Sequence, residues 1–115
     1  MAELTEFNVG QGETFRFAAT IISDSGSIPM NLTDYAFVGQ IRENYTTDEV
    51  SATFNITKLP PFNSGSIMVE LTPDQTLLLN QRKYVYDINM TSGSIAPITR
   101  RILEGLLTVR PTATR

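Results

Sequence analysis

Few residues in this sequence could carry out catalysis or bind a metal. Its 115 residues include no cysteine and no histidine. This excludes a disulfide framework, a thiolate zinc site, a cysteine nucleophile and a Ser-His-Asp triad within the chain. Asp87 is the one acid in the middle of a predicted strand, and it is best explained as a cross-strand partner of Arg100 or Arg101. With no convergent pair of acids to nominate, we predict no enzymatic activity, no catalytic residue, no metal site and no cofactor.

Two short patterns and one tyrosine have weaker links to ligand binding. Residues 24–27 (DSGS) contain a single acid, which is too few for a calcium loop, and they predict a turn. Residues 10–12 (GQG) precede a strand and lack the third glycine of a dinucleotide-binding loop. Tyr45 lies in the polar stretch 44–49 and is the best surface tyrosine for stacking on a sugar, because Tyr84 and Tyr86 have the spacing of core residues.

Charge and hydropathy exclude two classes of partner. The chain has 9 basic and 12 acidic residues and a net charge of −3. The basic residues concentrate only near the C-terminus, at Arg100, Arg101, Arg110 and Arg115, so we predict no nucleic-acid binding. No apolar run reaches about 18 residues, and the N-terminus lacks the features of a signal peptide. We therefore predict no membrane partner and synthesis in a cytoplasm.

Apolar and polar side chains alternate along most of the chain, as in half-buried strands. We predict strands over residues 13–22, 35–42, 50–57, 66–71, 83–90, 95–103 and 106–109. Glu104 and Gly105 are predicted to separate the last two, and Pro97 is predicted to lie near an edge or a bulge.

One segment departs from this alternation. Thr72 has the features of a helix N-cap, Pro73 suits the first helical position, and Gln75 stands at the capping-box position. A helical turn near residues 73–79 is therefore predicted, and we expect it to bridge two sheets.

The length fits one domain, residues 1–115. Seven or eight short strands with turns about every ten residues predict an all-β fold, an antiparallel β-sandwich. The chain has no cysteine or tryptophan. An immunoglobulin-like sandwich would therefore have the immunoglobulin strand topology without the disulfide and the tryptophan at the centre of the immunoglobulin core.

The order of several short segments resembles a known group of proteins. They are residues 12–17 (GETFRF), 24–26 (DSG), 31–35 (NLTDY), 40–42 (QIR), 65–76 (GSIMVELTPDQT), 84–88 (YVYDI), 102–111 (ILEGLLTVRP) and 114–115 (TR). In this order they are similar to the small β-sandwich domains of tailed-bacteriophage structural proteins, in particular the N-terminal domain of baseplate upper proteins and tail-fibre adaptors.

The resemblance implies an immunoglobulin-like fold and a non-enzymatic role in the virion, made in the host cytoplasm. The expected partners are other virion subunits of the tail, baseplate, fibre or capsid, with the chain present as a homo-oligomer or in multiple copies. Two alternatives stay open, namely a capsid decoration protein and a carbohydrate-binding module for host surface glycans.

For protein–protein packing, residues 1–10 and 110–115 are expected to be extended terminal docking segments. The interface candidates are Leu4, Phe7, Val9, Val38, Tyr45, Met68, Leu106, Val109, Arg110 and Arg115.

Overall fold

The computed structural model describes residues 3–22, 31–80, 83–93 and 99–112, with the side chains of residues 3 and 4 left out. Over these residues the chain is mostly strand (57%), with one short α-helix, α1 (Pro73–Leu77), and one 3-10 turn at Phe62–Ser64. The strands are β1 (Glu3–Leu4), β2 (Phe7–Gly10), β3 (Phe15–Thr20), β4 (Tyr35–Arg42), β5 (Ala52–Thr53), β6 (Asn55–Lys58), β7 (Ser66–Leu71), β8 (Lys83–Ser92) and β9 (Thr99–Arg110). The prediction of an all-β fold is confirmed.

The strands form two sheets. The larger has the order β1-β9-β8-β4-β5, with β2 also paired to β9, and it curls into a half-barrel. The smaller has the order β3-β7-β6. β1 and β2 run parallel to β9, whereas the other described pairs are antiparallel. The first described strands therefore lie beside the last one.

The alternation of apolar residues sets which side of each strand faces the core. On β7, Ile67, Val69 and Leu71 are fully buried, and the residues between them are partly exposed. On β8, the predicted row is likewise buried, with Tyr84 and Tyr86 at its start. Because successive side chains of a strand point to opposite faces, the period-two pattern identified these rows from sequence.

The helix starts where its capping residues predicted. Thr72 Oγ1 accepts a hydrogen bond from Gln75 N (3.3 Å), and Gln75 Oε1 accepts one from Thr72 N (2.9 Å). The reciprocal bonds satisfy donors that the first helical turn leaves unpaired. The helix ends at Leu77, and it connects β7 of the smaller sheet to β8 of the larger, as expected for a bridge between sheets.

The predicted single strand over residues 50–57 is wrong, because the chain changes sheets within it. β5 pairs with β4 in the larger sheet, and β6 pairs with β7 in the smaller one. Phe54 lies between them, buried, and its N–H donates to Gly39 O (2.8 Å). A Cβ on Gly39 would lie 2.8 Å from the Phe54 ring, so a glycine at this position lets the crossing segment approach β4.

The predicted interruption at Glu104 and Gly105 is also wrong, since β9 runs unbroken through both. Gly105 has a φ of +155°, and a Cβ there would lie 2.0 Å from Thr5 O. Thr5 is fixed on both sides, because its N–H donates to Glu104 O (2.9 Å) and its carbonyl accepts from Tyr86 Oη (2.8 Å). Gly105 thus marks a close backbone approach within a strand.

The irregularity in β9 lies two to three residues earlier. Ile88 pairs with Leu103, whereas the next residue, Asn89, pairs with Arg101. Ile102 is therefore the extra residue of a β-bulge.

Part of each terminal segment that was predicted to dock is paired within its own chain. β1 and β2 are already paired with β9 of their own chain, and Thr112 N donates to Gln11 Oε1 (3.2 Å). The predicted turn at 24–27, Pro97 and the last residues of the 110–115 segment lie outside the described residues.

We expect Gly105→Ala to lower the free energy of unfolding by about 2–4 kcal/mol, because the new Cβ would overlap Thr5 O and the backbone would keep an unfavourable φ. Urea denaturation measures this loss. Thr108→Ala, on the same strand, is the matched control and should cost less than about 1 kcal/mol. Equal losses in the two variants would contradict the close approach at Gly105.

Candidate interaction surface

Three charged side chains meet on the outer face of the larger sheet. Asp87 of β8 stands directly opposite Glu104 of β9. Arg101 reaches both, with its Nε 3.6 Å from Asp87 Oδ2 and its Nη1 3.3 Å from Glu104 Oε1. Of the two arginines named from sequence as partners for Asp87, Arg101 is the one at this distance, whereas Arg100 pairs in register with Met90.

In this group one cation is shared by two carboxylates, and all three side chains are partly exposed. The side chains of Asp87 and Glu104 are 27% and 31% exposed and that of Arg101 is 49% exposed. Such pairs are screened by solvent and contribute about 0–1 kcal/mol. Their benefit here is that one cation separates two carboxylates that would otherwise repel each other across the strands. Within the described ranges, no group of three or more His, Cys, Asp or Glu residues could hold a metal ion.

Several interface candidates lie at the surface. Val38 of β4 and Leu106 of β9 are 53% and 36% exposed on the outer face of the larger sheet. Tyr45 is 61% exposed in the loop after β4. Met68 is half-buried on the outer face of the smaller sheet. Arg110 is exposed, with its Nη2 3.8 Å from Glu13 Oε1.

Two other candidates are buried in the core, and a third is half-buried. Val9 and Val109 are each 3% exposed and pair with each other between β2 and β9, so their expected place at an interface is wrong. The parallel pairing turns both side chains into the core. Phe7 is half-buried, and its ring stacks on Phe17 with centroids 4.5 Å apart. The Leu4 side chain and Arg115 lie outside the described residues.

Sequence reasoning missed an apolar patch at the end of the helix. Leu77 and Leu78 are 43% and 77% exposed, whereas the next residue, Leu79, is fully buried. The signal was present in the sequence, since three consecutive leucines at the end of a short helix cannot all face the core.

The loop that carries Tyr45 contains a small depression. It has a volume of about 40 Å³ and is lined by Glu43, Thr47, Glu49 and Ser51. Small-molecule sites are usually about 300–1,000 Å³. Tyr45 is not among the lining residues, so this loop gives no built site for a sugar.

Comparison with known proteins assigns no family to this chain. No protein-family model and no curated protein matches the sequence. Among solved structures, the chain is similar to a nucleoside hydrolase-related hypothetical protein from Saccharophagus degradans that is associated with carbohydrate metabolism, with 11% identity and a TM-score of 0.41. The match covers 93% of this chain but 22% of that one, so this chain spans about a fifth of its length. A similarity this weak carries no inference about activity.

In the part of the chain that the structure describes, no helix has the length and apolar character needed to cross a membrane.

We expect Arg101→Gln to lower the free energy of unfolding by about 0.5–1 kcal/mol at low salt, because it leaves Asp87 and Glu104 facing each other without a cation. The loss should shrink as salt is added. Denaturant titrations at low and high salt measure both effects. The double variant Arg101→Gln with Asp87→Asn should recover most of the lost stability. A loss that is independent of salt, or a double variant no more stable than the single one, would contradict this role.

Proposed function

We propose that this protein is an immunoglobulin-like sandwich domain that serves as a non-enzymatic structural protein in a tailed-bacteriophage virion. In this proposal it is an adaptor of the tail, baseplate or fibre that works by packing against other virion subunits. The sequence resemblance supports the setting, and the surface of the molecule supports the mode of action.

The strand order supports the immunoglobulin-like part of the proposal. The order β9-β8-β4-β5 facing β3-β7-β6 agrees with the arrangement in which strands G, F, C and C′ face strands B, E and D. The chain change at Phe54 and the helical bridge after β7 fall where that topology moves between sheets.

The observation that carries the functional proposal is the outer face of the larger sheet. Val38 and Leu106 are 53% and 36% exposed there, and the acids Asp87 and Glu104 share Arg101. Apolar groups on the outer face of a curled sheet suit protein–protein contact more than they suit a concave ligand site.

A capsid decoration protein would attach to the head through a similar face. The position of the protein in the particle therefore distinguishes the decoration role from the tail-adaptor role. A glycan-binding role would depend on Tyr45, whose loop has only the small depression described above.

We expect the protein to be found in purified virions by mass spectrometry, and at the tail by electron microscopy of labelled particles. Leu106→Lys should reduce its incorporation at least about 10-fold, because a lysine in a packed apolar contact leaves a charge without a partner. Thr57→Lys is the control, since it adds the same charge at an exposed position of β6 in the smaller sheet, and it should be incorporated normally.

Absence of the protein from purified virions would contradict the proposal. Labelling of the head would favour the decoration role. Binding on a glycan array that is lost in Tyr45→Ala would favour the carbohydrate-binding role and overturn the adaptor.

A further inference from the structure

Within the part of the chain that the structure describes, one edge of the smaller sheet has an open row of backbone groups. Among the described residues, β7 is the sheet partner of β3. Ile21 N donates to Gly65 O (2.7 Å), which makes these two residues a hydrogen-bonded pair in register with the β3–β7 ladder. Because backbone groups alternate in direction along an antiparallel strand, those of Arg16, Ala18 and Thr20 point away from β7.

The core beneath this edge is incompletely covered. Phe17 and Ala19 face inward from β3 and are only half-buried. Their cross-strand neighbours on β7, Val69 and Ile67, are fully buried. Burial therefore decreases from the middle of the sheet to β3, and one more strand beside β3 would cover the inward row.

β3 also lacks the features that protect other sheet edges. β5 has two residues, and β6 has four, ends at Lys58 and is followed shortly by Pro60 and Pro61. β3 has six residues with no proline or lysine. Its one charged residue, Arg16, is ion-paired with Glu70. An edge strand without these protecting features is a template for pairing with another strand.

The sequence of β3 is complementary to itself in the antiparallel direction. Consider two antiparallel copies of β3 related by a two-fold axis at Ala18. The residues whose backbone groups point away from β7 in one copy then stand opposite the same kind of residue in the other copy. Arg16 then stands opposite Thr20 of the second copy, and Phe17 stands opposite Ala19 of the second copy. No like charges are opposed, each large side chain faces a small one, and the smallest edge residue lies on the axis. This register meets the requirements for cross-strand pairs.

We propose that β3 is a self-association edge, at which a second copy of this chain adds its own β3 antiparallel about Ala18. The two smaller sheets then become one continuous sheet of six strands, in the order β6-β7-β3 followed by β3-β7-β6 of the second copy. This inference rests on the proposed packing role and names a second copy of the chain as one partner. Self-association is measured on the isolated protein, so its absence is distinguishable from absence of the protein from virions.

The first test is the association state of the purified protein by sedimentation equilibrium over about 10 µM to 1 mM, a range suited to a small interface. We expect a monomer–dimer equilibrium. The amides of Arg16, Ala18 and Thr20 should exchange with solvent more slowly at the higher concentrations, because dimerisation brings them into a ladder. A monomer throughout this range, or unchanged exchange at these amides, would overturn the proposal.

Two variants at Ala18 test the backbone. Ala18→Pro removes an N–H that points out of the sheet, a change an edge strand tolerates, and it should abolish the dimer. Ala18→Val keeps the N–H and should keep the dimer. Circular dichroism checks that both variants fold. A folded Ala18→Pro protein that still dimerises would overturn the proposal.

Two variants at Thr20 test the register without changing the backbone. Thr20→Glu places an acid opposite Arg16 of the second copy, and Thr20→Lys places a base there, each twice because of the symmetry. Both lose the contact between Thr20 Oγ1 and Ser66 Oγ (3.3 Å), so they are matched in the monomer. We expect the dissociation constant to fall about 3–10-fold for Glu and to rise by a similar factor for Lys. Equal shifts in the two variants would overturn the register.

Discussion

The two sheets depend on one cluster of aromatic rings. The cluster contains Phe15 and Phe17 of the smaller sheet, Tyr86 of the larger sheet and Phe54 at the crossing. Phe7 of β2 joins it. Phe54 lies edge-on to Tyr86 with centroids 5.9 Å apart, and Phe7 stacks on Phe17 at 4.5 Å. Such pairs add about 0.5–1.5 kcal/mol beyond the area they bury. In a chain without cysteine or tryptophan, these rings link the layers through side-chain packing alone.

The same cluster determines which sheet edges are covered. Phe7 reaches the rings from β2, which is paired to β9, and the Tyr86 hydroxyl binds the Thr5 carbonyl just before it. Gly105 provides the space for that backbone. The first strands therefore extend the larger sheet, and they do not pair with β3. Because they serve the larger sheet, β3 remains the terminal strand of the smaller sheet among the described residues.

The sequence predicted features that depend on near neighbours in the chain. Alternation marked the inward rows, and Thr72 with Gln75 marked the helix start, because both signals are local. The crossing at Phe54 was not predictable from alternation. Inward-facing residues alternate in the same way on β5 and β6, so the pattern does not show that the chain changes sheets between them. A glycine such as Gly105 can interrupt a strand or allow another backbone to approach closely, and its residue type alone does not distinguish the two roles. Val9 and Val109 are buried by each other, and only the parallel pairing of distant segments shows this.

The ion pairs among the described residues bear on the proposed packing role. Arg101 is ion-paired with both Asp87 and Glu104, and Arg16 is paired with Glu70, each on an open sheet face where solvent reaches the ions. Charges in active sites are usually held away from water, and these ion pairs are not. In the proposed role, the groups that bind are apolar side chains and backbone edges, which bind through shape and hydrogen-bond register. Contacts of that kind depend weakly on salt and strongly on the strand geometry that the aromatic cluster holds in place.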